Sequence, residues 1–157
     1  MRRYMELDVF SARPLYGNPL AVVIDADGLD TATMQRIAAW LNFSETSFLL
    51  PPTHPDADYR VRIFTPRQEL PFAGHPSVGA AWAALASGAV DEGKTHLLQE
   101  CAAGLLPVHV QGKDDRRVVR VQAPAAHFGA VDETHASRIA AALGVQPFGR
   151  LHRREDN

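Results

Sequence analysis

The chain has 157 residues, a net charge of -2, 46% hydrophobic and 22% charged residues, an ordinary globular composition with room for one core but not for two full-sized domains. Its 16 basic residues balance 18 acidic ones without strong clustering, which argues against a nucleic-acid surface. One cysteine excludes an internal disulfide; with no apolar run of membrane-spanning length and no signal-peptide pattern, the expectation is a cytoplasmic chain with no membrane partner.

Residues 4–10 alternate Met5, Leu7 and Val9 with Glu6 and Asp8, the pattern of a strand with one wet face. Pro14, Gly17, Asn18 and Pro19 mark a turn, and residues 20–25 read as a buried strand. Asp30 or Thr31 can cap a helix whose apolar positions Met34, Ile37, Ala38 and Leu41 share one face, ending near Asn42. Glu45 follows between Phe43 and Phe48, and residues 46–50 continue as a strand. A carboxylate set among apolar walls is costly to ionise, which suits it to moving protons. By residue type alone, Glu45 reads more readily as a solvated glutamate at a strand start.

Tyr59, Val61 and Ile63 alternate with Arg60 and Arg62, so a half-buried strand leads into a loop broken by Pro66 and Pro71. Gly74, His75 and Pro76 then open a helix. From Val78 to Ala86 that helix is apolar nearly all round, and Gly88 can close it, so it belongs in the middle of a domain. The start of such a helix presents unpaired N–H groups and the positive end of the helix dipole, which together can bind an anion. The same residues also read as a plain turn glycine and a capping histidine.

Residues 95–101, 105–110 and 117–123 are three strand candidates in an antiparallel meander. Cys101 reads as a small buried residue. Residues 124–129 look like a crossing loop, and residues 132–143 read as a helix stopped at Gly144, with Ile139, Ala140 and Leu143 as its apolar face. The last nine residues read as a frayed polar tail. None of the seven histidines has metal-ligand spacing, and no nucleotide-binding or serine-hydrolase motif is present, so no metal and no cofactor is implied.

Three stretches, DVFSARPLYGNPLAVV, NFSETSFLL and TPRQELPFAGHPSVGAA, resemble in order the phenazine-biosynthesis PhzF-like family, whose fold resembles diaminopimelate epimerase. The resemblance covers about the first 125 residues. It implies an α+β lobe in which a curved, mostly antiparallel sheet wraps a central buried helix. Residues 1–125 would form that lobe, and residues 126–157 the start of a second one that this sequence stops short of. It further implies cofactor-independent isomerase or epimerase chemistry, with Glu45 as the proton-transfer group. Gly74, His75, Pro76 and Ser77 would hold a small carboxylate-bearing substrate.

A second copy of the chain, related by a two-fold axis, would then supply the facing wall of the cleft. Two other readings stand beside the enzyme: an inactive half serving as a remnant or association module, and a small-anion binder that needs only the helix start.

Overall fold

The strand patterns assemble into one sheet. In the computed structural model, which describes residues 1–126, 128–146 and 152–154, seven strands lie side by side. In spatial order they are β1 (Tyr4–Val9), β2 (Asn18–Val23), β3 (Thr46–Leu50), β4 (Tyr59–Phe64), β6 (His96–Cys101), β7 (Gly104–Gln111) and β8 (Val118–Val121), while the two-residue β5 (Glu69–Leu70) pairs with β4. Neighbours run antiparallel except β2 with β3 and β4 with β6. The helices are α1 (Thr31–Leu41), α2 (Gly74–Ala86) and α3 (Glu133–Leu143). No helix among the described residues is long and apolar enough to cross a membrane.

Two cores cover the two faces of this sheet. On one, α2 packs against β1, β2, β3, β4 and β8, so the sheet curves round it. Leu20, Val22, Leu49, Val61 and Ile63 meet Ala80, Ala84 and Leu85 there. The alanine and glycine content of α2 is what allows this closeness: a Cβ at Gly79 would lie 2.3 Å from Leu20 Cδ2 and 3.1 Å from Val9 Cγ2. On the other face, Met34 and Ala38 of α1 cover Val23, Phe48, Leu50 and Phe64. Strand β3 is buried at every residue because both its faces are covered, which is why TSFLL shows no polar–apolar alternation.

The chain divides into two units, Met1–Pro124 and Ala125–Asn157. In the second, α3 starts at the Asp132 cap and stops at Gly144 in the left-handed conformation. Its expected apolar face is only partly covered: Ala140 is buried, while Ile139 and Leu143 are exposed.

Several expectations need correction. Residues 124–129 are not all loop, and the polar tail is not all frayed: β9 (Phe128–Ala130) pairs antiparallel with β10 (His152–Arg154). Backbone pairing needs no apolar residues, so composition could not reveal it. His127 and the rest of the tail lie outside the described residues. Asn18 and Pro19 belong to β2 rather than to the turn, opposite Val9 and Asp8, since a strand start tolerates a proline. Cys101 is half-buried rather than buried, and that burial pushes its thiol pKa up, away from the reactive thiolate.

One ion pair ties the open end of the first hairpin to the helix. Arg3 Nε and Nη2 each donate to Asp25 at 2.8 Å, and Arg3 Nη1 donates to the Ser87 carbonyl at the end of α2 at 2.9 Å. Hydrogen bonding from the Arg3 side chain lowers the Asp25 carboxyl from its ordinary 3.8 to about 2. A depressed carboxyl stabilises the folded chain above its unfolded pKa, and that stabilisation is lost as pH falls through the folded one. The melting temperatures of the native chain and of Asp25→Asn should therefore differ above pH 3.8 and converge as the pH approaches about 2.

Candidate active site at the start of the central helix

Strand alternation decides where Glu45 points. Ser47 and Leu49 face α2, while Thr46, Phe48 and Leu50 point the other way, and Glu45 has the parity of the first set. Its carboxylate accordingly reaches the helix start, where Glu45 Oε2 lies 3.4 Å from His75 Nδ1. The Glu45 side chain is 20% exposed and that of His75 is 8% exposed, so both are largely removed from water and Glu45 keeps a path to it. His75 Nε2 is buried with no hydrogen-bond partner among the described residues. The Phe10 ring lies 6.5 Å from the His75 ring, tilted by 56°, and Phe10 itself is mostly exposed.

The first turn of α2 is left open by its own sequence. Ala73 occupies the cap position and gives no side-chain hydrogen bond. The Ser77 N–H donates to the Ala73 carbonyl and Pro76 has none, which leaves the amides of Gly74 and His75 with no acceptor among the described residues. Neither local role suggested by the residue types applies here. His75 does not cap the helix, and Gly74 has no left-handed backbone that would require glycine. A Cβ added at Gly74 would meet no atom within 4 Å, so the space beside this residue is clear. Two free amides, the positive end of a helix and a buried imidazole whose Nε2 lacks a partner form an anion-receptive corner beside a carboxylate.

The turn is braced from beneath. Ser47 Oγ donates to the Pro76 carbonyl at 3.3 Å, and Gln99 Nε2 donates to Ser77 Oγ at 3.1 Å. Tyr59 Oη in turn donates to Gln99 Oε1 at 3.0 Å.

Of the residues singled out from sequence, Glu45, Gly74, His75, Pro76 and Ser77 thus meet at one place. Phe10, Ser47 and Gln99 were not foreseen there. Gln99 did leave a trace, as a polar residue sharing the inward parity of Leu97 in β6. Phe10 left none, because its position depends on a left-handed backbone at φ 70° just after β1. Among the described residues no three histidine, cysteine or acidic side chains are placed to hold a metal ion. A cavity of about 520 Å³ between β1, α2 and β8 includes neither Glu45 nor His75.

The sequence matches the model of the phenazine biosynthesis-like protein family, PhzC-PhzF, over residues 7–154. It is 43% identical over 143 residues to antisense-enhancing sequence 1 of Schizosaccharomyces pombe, covering 90% of this chain and 48% of that protein. It is 41% identical over 150 residues to trans-2,3-dihydro-3-hydroxyanthranilate isomerase of Pseudomonas aeruginosa, covering 93% of this chain and 50% of that enzyme. Among solved structures it is similar to a predicted epimerase from Pseudomonas aeruginosa, with 36% identity and a TM-score of 0.75, covering 92% of this chain and 51% of that one. The chain therefore spans about half the length of the curated relatives it matches.

Proposed function

The chain belongs to the phenazine biosynthesis-like PhzC-PhzF family and has the diaminopimelate epimerase-like fold, and from that premise we propose that it serves a cofactor-independent isomerase or epimerase. The substrate is a small molecule bearing a carboxylate. One observation carries the reading: the Glu45 carboxylate stands 3.4 Å from His75 at a helix start whose amides are free.

In this reading the amides of Gly74 and His75 hold the substrate carboxylate, with Pro76 and Ser77 shaping the turn that presents them. Glu45 takes a proton from one substrate carbon and returns it to another carbon on the face it stands against, whereas inversion at a single carbon would need a second acid on the opposite face. One C–H bond breaks and one forms, the double bond shifts where the carbons differ, and Glu45 ends as it began. No oxidant or reductant is needed. Burial of both side chains strengthens their electrostatic interactions with the substrate relative to water.

Trans-2,3-dihydro-3-hydroxyanthranilate, which a relative's name gives as its substrate, is a suitable first probe because it carries a carboxylate. Incubated with the chain in deuterated water, it should isomerise and gain deuterium at carbon, as followed by NMR. The Gly74→Ala variant should lose no melting temperature, because the added methyl meets no neighbouring atom, yet raise KM about tenfold, because a methyl on the Cα next to the Gly74 nitrogen narrows the approach of a carboxylate to that amide. Neither isomerisation nor deuterium uptake in the native chain would overturn the enzyme reading. If the chain bound the probe without exchange, a small-anion binder would replace it. A specific rate that depends on protein concentration would report that a second copy contributes to the site.

A further inference from the structure

The first turn of α2 has to hold two amides at a fixed spacing and direction, yet it lacks the side-chain cap that usually fixes a helix start. Something else must set that turn. Its two downstream residues, Pro76 and Ser77, are both fully buried, and each is gripped by a polar side chain from the sheet.

The grip on Ser77 is the more costly one to build. Gln99 is fully buried at 0% exposure, on a strand face otherwise given to apolar residues. A buried amide must satisfy all its polar atoms or lose stability, and an aliphatic residue would fill that space at less risk. The amide is satisfied at both ends. Tyr59, 2% exposed, donates to its oxygen, and its nitrogen donates to Ser77. Burial raises the Tyr59 phenol pKa, so the hydroxyl remains a proton donor throughout the working pH range. The three residues come from β4, β6 and α2, so the chain of bonds fastens the helix start to two strands at once.

We propose that Gln99, held by Tyr59, is a positioning residue for carboxylate binding: through Ser77 it fixes the first turn of α2 so that the Gly74 and His75 amides converge on one anion. This rests on the carboxylate role given above to those amides. The hydrogen bonds of Gln99 go to Tyr59 and Ser77 rather than to Glu45, so its removal should weaken substrate binding while leaving proton transfer intact. A purely structural role would do the opposite. It would lower the amount of folded protein, and hence the maximal rate, without changing KM.

The test uses benzoate as a carboxylate probe, titrated into the ¹⁵N-labelled chain while the amide signals of Gly74 and His75 are followed. In the native chain both signals should move and saturate. In Gln99→Met, which keeps the length of the side chain without its hydrogen bonds, the apparent Kd should rise about tenfold or more. With trans-2,3-dihydro-3-hydroxyanthranilate as substrate, KM should rise by a similar factor at little-changed kcat. Tyr59→Phe removes only the hydroxyl and keeps the ring; it should weaken benzoate in the same direction by a smaller factor, and it decides the matter if Gln99→Met does not fold. If the native signals move and the variants bind equally well, the positioning role is overturned and the carboxylate site stands. If the native signals do not move at all, the carboxylate site falls and the positioning role with it.

Discussion

Replacing Glu45 by Gln should lower turnover by about 10²- to 10⁴-fold, the range expected when a positioned acid–base group is lost. The amide is nearly the size of the carboxylate, so the 3.4 Å approach to His75 and the local packing should persist, and the denaturation midpoint should hardly move. What disappears is the ability to accept a proton from carbon. Substrate affinity should stay within a few-fold, because the Gly74 and His75 amides that hold the carboxylate are untouched.

Glu45→Asp offers a sharper version of the same experiment. It keeps the acid but withdraws it by one methylene, and a displacement of about 1 Å from the reacting atom can cost about 10²-fold. Glu45→Gln should therefore be the worse of the two, with Glu45→Asp retaining measurable turnover. A Glu45→Gln variant within about tenfold of the native rate would remove Glu45 from the mechanism. His75 would then be the titratable group left at the helix start to examine.

The contrast between Glu45 and α2 shows where sequence reasoning reaches and where it stops. Helix α2 was legible because its evidence is local: a Gly-His-Pro start and an apolar run with no polar face demand burial wherever the helix goes. Glu45 was different. Its residue type and neighbours fit a solvated glutamate, and only the resemblance of its stretch to the PhzF-like family raised it to a catalytic candidate. The missing fact was that β3 lies between two cores, so that Ser47 and Leu49 face α2 and the same parity carries Glu45 to His75.

Gln99 was missed for a related reason. Its partners Tyr59 and Ser77 lie 40 and 22 residues away in sequence, and no spacing rule connects residues on β4, β6 and α2. The short pairing of β9 with β10 was missed because backbone bonds alone define it.

Phe48→Ala should produce the largest loss of stability among these variants, about 3–5 kcal/mol, set against the roughly 5–15 kcal/mol that hold a typical domain together. Phe48 is fully buried, and its ring meets that of Phe64 edge to face at 5.4 Å and 86°, so truncation removes both apolar burial and a favourable ring pair. Met34 and Ala38 of α1 close the same cluster, and they cannot follow the lost ring without moving the helix. A cavity should therefore remain, and the denaturant midpoint should fall sharply with little change in slope. The cavity would open on the α1 face of β3, whereas Glu45 and Ser47 act on the α2 face. The molecules that stay folded should then keep their KM, and activity should fall only with the folded fraction. Glu45→Gln should show the reverse, an unchanged midpoint with turnover gone. A Phe48→Ala chain with a native midpoint would mean that α1 does not close this core. One with a native fold but altered KM would mean that the two faces of β3 are mechanically coupled.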